Sequence, residues 1–168
     1  MHARNLNQLE LETALRHALD RDEFELLYQP IVDLASGKAA EFEALIRWHH
    51  PKFGMVGPDV FIEAAEESGL MIPVGNWILR TACEQVAAWQ KHSREGLSVS
   101  VNLSARQLLH PSLVDQVSLV LEETKILPRQ LKIEVTEGTV MEHSERSMSV
   151  LSVLAAIGVS LSTDDFGT

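Results

Sequence analysis

The chain has 168 residues, of which 45% are hydrophobic and 23% charged. That is the size and composition of one soluble globular domain with a real core. Its net charge of −10 excludes bulk electrostatic attraction to DNA, RNA or an anionic membrane. A single cysteine, Cys83, excludes an intrachain disulfide and fits a reducing compartment. No apolar run approaches the ~20 residues of a membrane span. The start, Met1-His2-Ala3-Arg4-Asn5, lacks the apolar core of a signal peptide. The expected location is the cytoplasm, for the chain alone or as the cytoplasmic part of a longer protein.

From about residue 5 to 20 the apolar positions Leu6, Leu9, Leu11, Ala14, Leu15, Ala18 and Leu19 fall on one helical face. Residues 1–22 are read as a linker helix leading into a domain at 23–168. The alternative reading is an edge helix packed on the core. Phe24 to Gln29 reads as a strand stopped by Pro30. A turn around Gly37 joins it to a second strand from about Ala40 to Arg47, so the two form an antiparallel hairpin. Residues 49–58 carry Pro and Gly and read as a loop.

Pro58-Asp59 opens a helix that Gly69 closes, and a longer helix runs from about Val74 to His92. A regular alternation follows. Leu97 to Val101 is a strand, Ala105 to Lys125 a helix broken near His110-Pro111, and Leu131 to Val135 a strand. His143 to Ile157 is a helix closed by Gly158, and Val159 to Thr163 a strand. Strands alternating with helices of this length imply parallel β/α units. The fold class is α/β: a partial TIM-type (β/α) barrel with an antiparallel first hairpin and about five strands.

Polar residues interrupt these apolar strands. Glu43 lies inside Glu41-Phe42-Glu43-Ala44-Leu45-Ile46-Arg47-Trp48. Asn102, Glu134 and the pair Asp164-Asp165 sit at or near strand ends, in steps of about 30 residues, the length of one strand-plus-helix repeat. A strand interior does not carry an unpaired charge without a partner. In β/α barrels the carboxyl-terminal rim of the strands builds the site. Carboxylates plus an amide oxygen suit Mg²⁺ or Mn²⁺ and not zinc. Asp165 beside Asp164 suits a second ion. Other readings stand beside these. Glu43 could pair with Arg47, Asn102 could cap the next helix, and Asp164-Asp165 could be turn residues before Gly167. Either Glu134 or Glu137 could face the site. His49-His50 reads as loop, Cys83 as a small buried residue, and Trp48, Trp77 and Trp89 as core. Ser104 has no His/Asp partners for a nucleophilic triad.

Taken together, Glu43-Ala44-Leu45 with Arg47-Trp48, Asn102-Leu103-Ser104, Glu134-Val135-Thr136-Glu137 and Asp164-Asp165-Phe166-Gly167-Thr168 resemble the EAL domain family. Tyr28-Gln29-Pro30-Ile31-Val32 and Asp59-Val60-Phe61-Ile62 resemble it too, so the likeness runs from about residue 23 onward. The resemblance implies a modified TIM-type barrel that hydrolyses the bacterial second messenger cyclic di-GMP to linear pGpG with Mg²⁺ or Mn²⁺. By motif, Glu43, Asn102, Glu134 and Asp164 would hold a first metal and Asp165 a second. Arg47 would contact a phosphate, and Gln29 and Leu45 would shape the substrate pocket. In the family, later strands add a lysine, a glutamate and a glutamine, and this sequence stops before them. The expectation for the chain by itself is impaired hydrolysis. The alternative is a non-catalytic module for cyclic di-GMP binding, protein interaction or oligomerisation. An open half-barrel also predicts a homo-oligomer, most simply a dimer. The first helix resembles the segment that joins a GGDEF or sensor domain to an EAL domain.

Overall fold

A computed structural model of the chain describes residues 8–92, 96–142 and 144–164. Among them one mixed sheet carries helices against one face. The order along the chain is α1 (Gln8–Ala18), β1 (Phe24–Val32), β2 (Ala39–His50), β3 (Gly54–Val56), α2 (Pro58–Glu67), α3 (Met71–Gln90) and β4 (Ser98–Asn102). It continues with α4 (Ala105–Leu108), α5 (Leu113–Thr124), a 3₁₀ turn (Pro128–Gln130), β5 (Leu131–Thr136), α6 (Glu137–Glu142), α7 (Ser144–Ile157) and β6 (Ser160–Asp164).

The strand order is β1-β2-β4-β5-β6, with β3 on β2. The β1–β2 and β2–β3 pairs are antiparallel. The β2–β4, β4–β5 and β5–β6 pairs are parallel. This is the TIM-barrel-like arrangement expected from the alternation of strands and helices, left open among the described residues.

Period-2 alternation sorts the two faces of the sheet. Ala44, Ile46, Val99, Val101, Leu131, Ile133 and Val135 are buried, and the helices lie on their side, α3 against β1, β2 and β4 and α7 against β6. The alternate positions carry Glu41, Glu43, Leu45 and Arg47 on β2, Ser98, Ser100 and Asn102 on β4, and Lys132, Glu134 and Thr136 on β5. The polar residues that interrupt the apolar strands therefore share one face.

Four expectations need correction. Pro30 does not stop β1, which continues to Val32 with Pro30 opposite Phe42. Among the described residues β1 pairs with β2 alone, and an edge strand has no second ladder for proline to break. The loop at 49–58 contains β3, because β2 runs on to His50 and folds back through Gly54, whose φ is 71°. That makes six strands among the described residues where about five are expected. The third helix starts at Met71 and not at Val74. Pro73 lies in its first turn, where a missing N–H costs no helical hydrogen bond. Finally, α6 was not foreseen ahead of α7. The predicted break at His110-Pro111 is where α4 gives way to α5.

Leu11, Leu15 and Ala18 of α1 are buried, and α1 packs on α2, so the described part of this helix belongs to the core. Trp48 is fully buried among Phe24, Phe61 and His50, with ring centroids 6.0, 5.7 and 4.9 Å away. Its indole N–H donates to Glu23 Oε2 at 3.0 Å, which satisfies the polar end of a buried aromatic. Trp77 and Trp89 are partly buried against the same core. Cys83 is buried in α3, and desolvation pushes its thiol up to about 12.

Trp48→Ala removes the largest fully buried side chain and the indole N–H that Glu23 Oε2 accepts from. It is expected to cost about 3–5 kcal/mol, read as a fall in the urea midpoint.

Candidate active site at the carboxyl ends of the strands

Parallel pairing fixes the height of each polar residue. Asn102 is in register with Glu134, Glu43 with Ser100, and Thr136 with Asp164. On the hairpin side Gln29 lies opposite Glu43 and Leu27 opposite Leu45. Glu43, Asn102 and Glu134 thus stand on β2, β4 and β5, three adjacent strands, near the ends at which β4 and β5 finish. The Asn102 side-chain amide donates to Glu43 Oε1 at 2.9 Å. This bond ties β2 to β4 above their backbone ladder. It also answers two open questions: Glu43 bonds Asn102 while Arg47 turns to the Ile46 carbonyl, and Asn102 does not cap the next helix.

That cap is Ser104. Its hydroxyl accepts from the Gln107 N–H at 3.5 Å, and Gln107 Oε1 accepts from the Ser104 N–H at 3.1 Å. The reciprocal pair is a capping box, and it fixes the turn that leaves Asn102. The signal was present in the sequence as Ser104-x-x-Gln107, the spacing such a box requires. Gln107 is buried because α3 makes room for it at Gly75. A Cβ built on Gly75 would lie 1.7 Å from Gln107 Nε2.

Beside the strip a cavity of about 240 Å³ opens. Leu45, Ile62, Met71, Ile78 and Leu103 give it apolar walls, and Asn102, Glu134, Thr136 and Gln107 its polar edge. An apolar recess with a few converging polar groups is the usual form of a small-molecule site. Arg47 stays on the same face of β2, half-buried, with Nη1 donating to the Ile46 carbonyl at 2.8 Å.

The polar groups that share this face offer oxygens: the carboxylates of Glu43 and Glu134 and the amide of Asn102. That set fits a hard divalent cation such as Mg²⁺ or Mn²⁺. Asp164 closes β6 at the position paired with Thr136, and Asp165 lies outside the described residues, as do Phe166, Gly167 and Thr168. Among the described residues no three His, Cys, Asp or Glu side chains group as a metal cluster. His49 and His50 do not converge on one point. His49 Nε2 contacts Glu25 Oε2 at 2.6 Å, while His50 Nδ1 accepts from the Lys52 N–H at 3.0 Å. Burial holds the His50 imidazole below its ordinary pKa.

The sequence matches the model of the EAL domain over residues 12–168. The chain belongs to the EAL domain family. It is 41% identical over 168 residues to the bifunctional diguanylate cyclase/cyclic di-GMP phosphodiesterase MucR of Pseudomonas aeruginosa, an alignment covering 100% of this chain and 24% of MucR. It is 42% identical over 165 residues to the cyclic di-GMP phosphodiesterase NbdA of the same organism, covering 98% of this chain and 21% of NbdA. This EAL domain sequence therefore spans about a quarter or less of those relatives. Among solved structures, the PaMucR phosphodiesterase in complex with c-di-GMP superposes with a TM-score of 0.91 at 41% identity, covering 95% of this chain and 64% of that one. The EAL enzyme Bd1971 in its cAMP- and cyclic-di-GMP-bound form superposes at 0.87 and 33% identity, covering 96% and 45%.

A helix-interior glycine replaced by alanine normally stabilises, by up to about 1 kcal/mol. Gly75→Ala is expected to do the reverse. The new methyl displaces Gln107, opens the Ser104 capping box and costs about 1–3 kcal/mol. Gly75→Ala/Gln107→Ala should recover the part due to the clash. Urea denaturation and the amide NMR shifts of residues 102–104 measure both.

Proposed function

We propose that this EAL domain hydrolyses cyclic di-GMP to linear pGpG with Mg²⁺ or Mn²⁺. The observation that carries this reading is the oxygen-donor strip, in which Asn102 is bonded to Glu43 and in register with Glu134, beside a largely apolar cavity. MucR and NbdA, which bear phosphodiesterase names at over 40% identity, support it. Glu43, Asn102, Glu134 and Asp164 are assigned to a first ion and Asp165 to a second. Such ions bind the phosphodiester, lower the pKa of a bound water and stabilise charge on the phosphorus-bound oxygens. The chain's own residues set the geometry. The Asn102 amide fixes one oxygen of Glu43, and the capping box after Asn102 keeps that amide at its height. Arg47 is assigned to a phosphate oxygen, for which a guanidinium is suited. Leu45 and Gln29 are assigned to the pocket wall, and the cavity's apolar side excludes water from the bound dinucleotide.

Within the same reading the domain works in the cytoplasm, downstream of a GGDEF or sensor domain, with residues 1–22 as the connecting helix. MucR, whose name pairs a diguanylate cyclase with a phosphodiesterase, supports that arrangement. The domain is also proposed to pair with a second copy. Among the described residues β1 borders β2 alone, and it exposes Leu27, Ile31 and Val32.

With Mn²⁺ present, cyclic di-GMP should be converted to a linear product by the wild type, and Glu43→Ala should lower the rate at least about 100-fold. Binding followed by calorimetry should require the metal. Undiminished binding in EDTA without hydrolysis would transfer the site to a metal-independent sensor. Light scattering at micromolar concentration should give a mass near twice 18.7 kDa, and a monomer mass would remove the second copy.

A further inference from the structure

The face of the sheet that carries Glu43, Asn102 and Glu134 also holds an ion pair across three strands. Lys132 of β5 joins its ammonium to the carboxylate of Glu41 on β2. The pair is half-buried, with side chains 27% and 22% exposed, so solvent screens it less than a surface ion pair.

Its placement is unusual in two respects. It reaches across β4, which lies between β2 and β5, a span of about 10 Å or two interstrand spacings. The residues that β4 turns to this face at that height are both small, Ser98 and Ser100. Ser100 is fully buried, and its hydroxyl has no hydrogen-bond partner among the described residues. A longer side chain at either position would fill the path that the lysine takes.

Register then defines what Lys132 could have done instead. Lys132 is level with Ser100, and Ser100 is level with Glu43. By backbone position Lys132 therefore stands in the Glu43 row, one pleat above Glu41, which is level with Ser98. Its ammonium goes down, to Glu41, and Glu43 Oε1 takes the neutral amide of Asn102. A fixed cation turned toward Glu43 would occupy the position that a divalent ion needs, and would repel it.

We infer that Glu41 is a positioning residue: its carboxylate clamps the Lys132 ammonium one layer below the Glu43–Asn102–Glu134 strip and keeps that strip open to a divalent cation. The inference rests on the metal reading proposed above and deepens it. Glu41 touches neither substrate nor ion. It acts through Lys132, and the paired charges cancel, so the layer beneath the strip presents no net charge to it.

The two halves of the clamp have opposite effects when removed. Glu41→Gln frees the ammonium to turn to Glu43, and the Mn²⁺ dissociation constant should rise about tenfold, the scale of one added charge at close range. Lys132→Met leaves the Glu41 carboxylate alone beneath the strip, and Mn²⁺ should bind several-fold tighter. Glu41→Gln/Lys132→Met should return to within about twofold of the wild type, since neither charge remains. Calorimetric titration of the metal-free chain with Mn²⁺ reads these affinities, with Glu43→Ala as the control. Urea unfolding of the same set, in EDTA, reads the clamp without metal. The double variant should be more stable than the sum of the single losses predicts, because each single substitution strands the other charge.

An unchanged Mn²⁺ affinity in Glu41→Gln, or equal weakening in both single variants, would overturn the inference while Glu43-dependent Mn²⁺ binding upheld the metal reading. Strictly additive unfolding would show that no clamp exists and would overturn it as well. Coupled unfolding with no Glu43-dependent Mn²⁺ binding in the wild type would overturn the metal reading, and with it the purpose assigned to the clamp.

Discussion

Everything at the site depends on β4 lying parallel between β2 and β5. A parallel strand buried against helices needs apolar residues on its helix side, and Val99 and Val101 supply them. Alternation then leaves Ser98, Ser100 and Asn102 for the other face. The ladders on both sides of β4 set their heights against β2 and β5. A slip of one residue in either ladder would send Asn102 into the helix layer and a valine onto the polar face. The burial of two valines is thus what places an amide between two carboxylates.

Around that constraint the molecule adds local supports of different kinds. The Asn102–Glu43 bond links neighbouring strands by their side chains. The Ser104–Gln107 box stops the chain from drifting after β4, and Gly75 gives Gln107 a place in the helix layer. Below the strip, the Glu41–Lys132 pair sits over the serines of β4. Each of these supports restricts where the strip's oxygens can be.

Much of this was legible in the chain. The strand-and-helix alternation, the hairpin and the break at His110-Pro111 follow from apolar period and turn chemistry. Asn102 and Glu134 could be singled out because a polar residue at the end of an apolar strand needs a reason. What was not legible has physical causes. Pro30 was read by its local rule, which an edge strand suspends. The three-residue β3 is too short to show a period, and α6 merges by composition with α7. The partner of Asn102 could not be read, because side-chain pairing across strands depends on register, which no single strand encodes. Glu41 and Lys132 are 91 residues apart, and nothing local to either marks them as a pair. The capping box is different: its spacing was in plain view.

The hairpin has a consequence for how the site comes together. Gln29, Glu43, Leu45 and Arg47 all lie on β1 and β2, whose pairing closes over a short turn. In that turn Asp33 Oδ1 accepts the Ser36 N–H at 2.8 Å and the Ser36 hydroxyl at 2.7 Å. These bonds hold the Asp33 carboxyl below its ordinary pKa. Contacts of such small sequence separation form with little loss of chain entropy, whereas each parallel pairing of β4, β5 and β6 must first close a long crossover. The wall that carries Glu43 and Arg47 is therefore a local unit. Adding the strands that bring Asn102 and Glu134 takes long-range closures, so the two halves of the strip differ in the chain entropy each must give up.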